Sequence, residues 1–261
     1  MADRDASGNL KNADMEGEKH STADGSPKPN RDPGGITRRG AIVGIGCTIA
    51  LLGLGGLRYA GHNPLRHPPG GQSEAHLVSA CIRCERCYEA CPRHVIKPAR
   101  IEDGLLGMRA PTLDFELSYC DFCVTENGGT PRCVQVCPTG ALDLASTESK
   151  DRVMVDPQDS SIHYEVHVPD LGLAVINTYE CLAYRDTGCR FCHDACPLEP
   201  KAIELYGATG STNPRVRVIA DRCNGCGACE SACVSLKAGS IASGATERAI
   251  VVHPVELTTR A

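Results

Sequence analysis

Residues 81–92 read CIRCERCYEACP, four cysteines in twelve positions. Gaps of two, two and three residues separate Cys81, Cys84, Cys87 and Cys91, and Pro92 follows. The spacing C-x2-C-x2-C-x3-C-P is one by which thiolates hold a cubane [4Fe–4S] cluster, with the fourth cysteine ligating the other cluster of a pair. It predicts a tight loop for the first three cysteines, with backbone N–H groups turned toward the sulfurs. The fourth is expected to open a short helix. Proline then takes the first helical position, where a missing N–H costs nothing.

Three more runs follow: Cys120, Cys123, Cys133 and Cys137 with Pro138; Cys181, Cys189, Cys192 and Cys196 with Pro197; and Cys223, Cys226, Cys229 and Cys233 with Val234. Each contains a C-x2-C pair and ends in C-x3-C. Sixteen of the seventeen cysteines are used, and Cys47 is left over. Four quartets imply four [4Fe–4S] clusters. Zinc knuckles also use C-x2-C pairs, but they require neither the C-x3-C ending nor the proline. A disulfide framework fits the even count, yet cysteines so close in sequence are poor partners for one another. The chain has no Trp and only 3 Phe, a thin supply for a core of 261 residues. Clusters that each tie four backbone points together replace the missing apolar contacts, so the cluster-free chain is expected to be largely unfolded.

Residues 1–36 are polar and without apolar periodicity, and read as a disordered N-terminal extension. At residues 37–60 an Arg38-Arg39 pair leads into seventeen apolar residues, 41–57, closed by Arg58. This pattern is that of a twin-arginine export signal, a route suited to a protein that acquires its clusters before crossing a membrane. Ala41 stands where such signals favour Phe, and no A-x-A cleavage site follows. The alternative is a retained anchor, with membrane contact through 41–57, at the short limit for a span.

Residues 61–72 are rich in Pro and Gly and read as a linker; residues 73–261 form the four-cluster domain. A short helix is expected at 73–79. Apolar stretches follow the quartets (VIKPARI, GALDL, KAIEL, GSIAS), and strands precede two of them (GLAVINTYEC, VRVIADRC). A unit of strand, cysteine loop, helix and strand thus recurs. Two units make a two-cluster module, which gives an α+β fold of two bacterial-type ferredoxin modules. Quartets two and three carry inserted loops, residues 125–132 and 182–188, whereas one and four do not. That likeness predicts nested pairing, one with four and two with three. Cys91 would then join Cys223, Cys226 and Cys229, and Cys233 would join Cys81, Cys84 and Cys87. Cys196 would join Cys120, Cys123 and Cys133, and Cys137 would join Cys181, Cys189 and Cys192.

Residues 61–261 hold 19 Lys and Arg against 25 Asp and Glu. Each oxidised cubane with its thiolates adds about −2, which brings the loaded domain to about −14. Such a charge excludes nucleic acid as a partner. Arg83, Arg86, Arg93, Lys97 and Arg100 gather around the first quartet, either as an ordinary solvated face or as a basic docking surface. No histidine has metal-ligand spacing; His193, within the third quartet, is at best a neighbour of a cluster. No phosphate loop, nucleophile elbow or dinucleotide fingerprint occurs, so no catalytic residue is assigned and the chain reads as an electron carrier.

Taken together, the twin-arginine segment, HPPGGQSEAHLVSACIRC, CPTGAL, GLAVINTYECL and DRCNGCGACESACV resemble the ferredoxin-type proteins of periplasmic nitrate reduction and methylamine utilisation, the NapG and MauM type. The likeness runs from Thr37 to about Val251, and the missing proline at Val234 agrees with it. The resemblance implies a periplasmic protein that passes electrons from a membrane-bound quinol dehydrogenase of ferredoxin type toward a c-type cytochrome or a terminal periplasmic oxidoreductase such as nitrate reductase. Two other readings fit the cysteines: the four-cluster subunit of a molybdopterin oxidoreductase, and a non-redox zinc scaffold.

Overall fold

A computed structural model of the chain describes residues 37–59, 64–104, 107–207, 213–236 and 248–254. The expected extension at 1–36 and the apolar stretch GSIAS lie outside them. Helix α1, Arg38–Tyr59, carries the paired arginines in its first turn. Ile42, Val43, Ile45 and Ile49 on it are exposed, as is Cys47. Among the described residues no helix is long and apolar enough to cross a membrane.

The expected linker is built into the domain where it is described. His67, Pro68, Pro69, Gly70 and Gly71 are all buried. The peptide N–H of Leu113 donates to the Arg66 carbonyl at 2.6 Å, and that of Asp143 donates to Gly70 at 3.0 Å. A side chain at Gly70 would overlap the backbone of Asp143. The Pro-Pro-Gly-Gly sequence is therefore a close packing device.

The first two quartets share one module. Helix α2, Glu74–Ala80, leads into the first cysteine loop, as the sequence predicts. Helix α3, Arg86–Ala90, is followed by strands β1, Ile96–Pro98, and β2, Pro111–Leu113, paired antiparallel. The second quartet contributes α4, Val124–Asn127, and α5, Arg132–Gln135. Helix α3 packs on α5. GALDL forms no strand; a 3-10 turn at Leu144–Ser146 closes it instead.

Strands β3, Ser149–Val155, and β4, His163–Pro169, form an antiparallel ribbon between the modules in sequence. The second module starts with β5, Gly172–Ile176, followed by α6, Phe191–Asp194. Strand β6, Leu198–Glu199, adds to the edge of β3. Strands β7, Ile203–Tyr206, and β8, Arg215–Val218, pair antiparallel. Helix α7, Ala228–Ala232, packs on α6, and β9, Ile250–Pro254, pairs with β5.

Phe115 and Phe122 are fully buried, and one contiguous core runs from Leu77 through Leu113, Met154 and Ile203 to Val252, with cysteines among its members. Each buried Phe contributes about 2–3 kcal/mol. A polar knot ties distant segments across this core. The Glu230 carboxylate on α7 is 5 % exposed. It accepts from the Arg66 guanidinium at 2.8 Å and from the Val252 N–H at 2.7 Å. Arg66 also lies over the Phe115 ring, 5.2 Å from its centre. Burying a carboxylate is tolerable here because its charge is paired and its oxygens are hydrogen-bonded.

Candidate iron–sulfur sites

Helix placement relative to the cysteines differs from the sequence expectation. The third cysteine of every quartet (Cys87, Cys133, Cys192, Cys229) lies within the short helix, and the fourth comes at or just past its end. Cys91 and Cys233 are C-caps in extended conformation. Pro92, Pro138 and Pro197 thus follow a helix that has already ended, where proline is common because it cannot continue one, and none of them begins a helix.

The loop before each helix turns through left-handed backbone. In the first quartet Arg83 and Glu85 take positive φ, 57° and 66°; in the fourth, Gly225 and Gly227 occupy the matching positions at 71° and 83°. The choice follows from the surroundings. Side chains at 83 and 85 reach solvent, whereas one at Gly225 would overlap the Gly172 backbone and one at Gly227 the Phe115 ring. Left-handed backbone costs a non-glycine residue about 1–2 kcal/mol. Arg83→Gly should therefore raise stability by about 1 kcal/mol. Gly225→Ala should lower it by several-fold more, about 3 kcal/mol, because it combines strain with overlap. Anaerobic urea denaturation of the loaded variants checks the opposite signs.

The sixteen thiols gather into four groups, each drawn from two neighbouring quartets. Cys81, Cys84 and Cys87 line one cavity with Cys137. Burial first, and then the Cys81, Cys84 and Cys137 thiols, push Cys87 up to about 12. The second group is Cys91 with Cys120, Cys123 and Cys133, all buried. Burial followed by Cys133 and Cys91 pushes Cys120 well up, and Cys133 rises through burial, Cys123 and Cys91. In the third, Cys181, Cys189, Cys192 and Cys233 line a cavity, and burial with the other three thiols pushes Cys192 to about 12. In the fourth, burial and then Cys196 raise Cys226, while Cys229 is raised by burial, Cys226 and Cys223.

Pairing is thus sequential, one with two and three with four, and the nested expectation is overturned. Cys91 stands with Cys120, Cys123 and Cys133 of the second quartet. The reason is the packing of α3 on α5 and of α6 on α7, which carries each fourth cysteine across to its neighbour's loop. The inserted loops answer to separate neighbours. Gly129, in the first, sits against Val166 of β4; Tyr184, in the second, donates its hydroxyl to the Val216 carbonyl of β8 at 3.0 Å. Their likeness in sequence says nothing about pairing.

The four groups adjoin one another in series. Cys87 of the first adds to the upward push on Cys133 of the second, and Cys192 of the third to that on Cys229 of the fourth. Between modules, the Cys120 N–H donates to the Cys226 carbonyl at 2.9 Å, which sets the second and fourth groups side by side. The order is first, second, fourth, third. The inner groups are mostly buried, and the outer ones reach the surface at Cys84 and, in part, at Cys189 and Cys233.

The donor chemistry suits cubane clusters. Backbone N–H groups reach the sulfurs at many positions. Burial would raise Cys137, yet the N–H groups of Leu142, Thr139 and Ala141 and the Thr139 hydroxyl hold it below its ordinary value. CPTGAL is the turn that folds those donors back onto the sulfur. Beside Cys223, the fully buried Asn224 accepts the Cys226 N–H at 3.2 Å, while its Nδ2 has no partner among the described residues, a donor that a cluster sulfur would satisfy. No three Cys, His, Asp or Glu side chains among the described residues converge tightly enough for a single metal ion. A cubane, with four irons between its thiolates, needs wider spacing.

The basic cluster around the first quartet is partly consumed. Arg93 pairs with buried Asp121 at 2.6 Å, and Lys97 with Asp114 at 2.6 Å. Arg83 donates to the Met108 carbonyl at 2.9 Å. His193 is fixed by a 2.7 Å hydrogen bond to the Ile203 carbonyl. The sequence reading missed the Asp121–Arg93 pair, the Arg66–Glu230 pair and the polar side chains two residues beyond three of the fourth cysteines, Arg93, Thr139 and Ser235. The constant offset of those last positions is the one signal that could have found them.

The model of the 4Fe-4S dicluster domain matches residues 80–141 and 187–235, one segment for each sequential pair. A methylamine utilization ferredoxin-type protein MauM of Methylorubrum extorquens is 33% identical over 171 residues, covering 64% of this chain and 67% of its own. MauM of Methylobacillus flagellatus is 31% identical over 227 residues, 85% of this chain and 82% of its own. The ferredoxin-type protein NapG of Escherichia coli is 30% identical over 210 residues, 78% and 77% of the two chains. The chain belongs to the MauM/NapG family of ferredoxin-type proteins. No solved structure matches it. As a MauM/NapG-type protein with a 4Fe-4S dicluster domain, it is an iron–sulfur electron-transfer protein carrying [4Fe–4S] clusters.

Proposed function

We propose that this MauM/NapG-type protein is a periplasmic electron carrier with four [4Fe–4S] clusters held by the sixteen cysteines in the groups given above. The observation that carries the reading is the abutment of the inner groups through Cys120 and Cys226. It supports one uninterrupted line of redox sites between two surface-reaching ends. The clusters, when bound, supply one-electron exchange between adjacent sites. The chain's own residues fix their order, exclude water from the inner pair and expose the outer pair.

The two ends differ in chemistry, which supports a separate partner for each. Around Cys84 the surface presents Ile82 with Arg83 and Arg86; beside the third group it presents Tyr179, 86 % exposed, with Phe191 and Val175. A membrane-bound quinol dehydrogenase of ferredoxin type as donor and a c-type cytochrome or terminal oxidoreductase as acceptor suit a carrier with two distinct ends. Arg38 and Arg39 would serve as the export address. Changing both to Lys should leave a folded, brown protein in the cytoplasm, since a receptor reads the pair and folding does not use it. Periplasmic protein with its clusters intact in that variant would remove the export reading. Stopped-flow reduction of the purified protein by a quinol dehydrogenase preparation tests the carrier role; absence of cluster bleaching with every donor and acceptor pair would contradict it.

A further inference from the structure

Two residues beyond each fourth cysteine stands a different side chain: Arg93, Thr139, Leu198 and Ser235. The two hydroxyls follow Cys137 and Cys233, which belong to the outer groups; the inner groups have Arg and Leu. Thr139 is exposed, and its Oγ1 lies 3.8 Å from the Cys137 sulfur. Ser235 is 1 % exposed, and its Oγ lies 3.2 Å from the Cys233 sulfur. The same Oγ accepts the Ala249 N–H at 2.8 Å.

The state of the sulfur fixes the direction of the first bond, and the second leaves room for it. A hydroxyl has one proton and two lone pairs. With the Ala249 N–H on one lone pair, the proton is free to point at the sulfur. A ligating cysteine is a thiolate, which can only accept. A buried O–H aimed at a ligating sulfur draws off negative charge, and it does so more effectively in a site sheltered from water. The reduced cluster carries one more negative charge than the oxidised, so the bond favours reduction. Hydrogen bonds to the sulfurs are among the factors that set cluster potentials.

We propose that Ser235 is a positioning residue that raises the reduction potential of the third group by donating its hydroxyl proton to the Cys233 thiolate. The inference rests on the reading that Cys233 ligates a cluster together with Cys181, Cys189 and Cys192. It makes the third group, at one exposed end of the line, the better electron holder than its sulfur exposure alone would set.

The test is a reductive titration of the full, cluster-loaded chain followed by electron paramagnetic resonance. In Ser235→Ala, one resolved redox component should move to a more negative potential while the others stay. Ser235→Thr, which keeps the hydroxyl, should restore it. The component that moves should be the one missing from Cys233→Ala. If the alanine variant sheds iron, Ser235→Cys keeps a weak donor and the same component must still fall, by less. Unmoved potentials at unchanged iron content, or a threonine variant shifted as far as alanine, would overturn the role of Ser235. Iron content unaffected by Cys233→Ala would instead overturn the ligand assignment beneath it.

Discussion

Stripping the iron with a chelator under anaerobic conditions should abolish the cooperative unfolding transition of the cysteine-bearing domain. The reason lies in the size of its parts. Outside α1, the longest described helix has 7 residues and the longest strands have 7. Helices shorter than about 12 residues do not persist alone in water. Three of the four sheets among the described residues have two strands, and isolated two-stranded ribbons are marginal. Phe115 and Phe122 supply a core, but it is interrupted by the cysteine cavities. Free energy of cluster binding is therefore largely free energy of folding. Far-ultraviolet circular dichroism against urea reads this directly: the loaded protein should show a single sigmoidal transition, the stripped one a sloping line. A stripped protein that retains a transition at a similar midpoint would show that the polypeptide alone holds the fold.

Cysteine substitutions should remove whole clusters, in a pattern that reports the pairing. Cys91→Ala and Cys133→Ala should each lower iron by about four per chain, and the double variant should lose no more than either one. Cys91→Ala with Cys226→Ala should lose about eight, because those two sulfurs belong to separate groups. Nested pairing predicts the reverse for both doubles. The logic is that of a double-mutant cycle, in which residues acting as one unit fail to add. Burial makes this sharp. Cys91, Cys133 and Cys226 all lie in buried groups where no solvent oxygen stands ready to replace a missing thiolate.

The cysteine spacing was enough to mark the cluster-binding character, the recurring unit and several short elements. Helix α2 and strands β1, β5, β7 and β8 fall where apolar stretches beside the quartets put them. What the spacing could not carry was the pairing of quartets, because that is decided by contacts between α3 and α5 and between α6 and α7, residues far apart in sequence. The inserted loops misled for the same reason, since each is shaped by a different strand. The helix position was misread by a few residues: a proline after the fourth cysteine is compatible with a helix start or a helix stop, and only the capping geometry of Cys91 and Cys233 distinguishes them. The Pro-Gly-rich stretch before α2 looked like a linker because composition does not report that Gly70 is pressed against Asp143. Ser235 went unnoticed because a single serine has no signal until its neighbours are placed.

The central claim is that the four groups of thiols are built for four cubane clusters. Its most direct test is the iron and acid-labile sulfide content of the anaerobically prepared chain. The account predicts about sixteen of each per chain. A preparation holding about four zinc ions with no labile sulfide would contradict it.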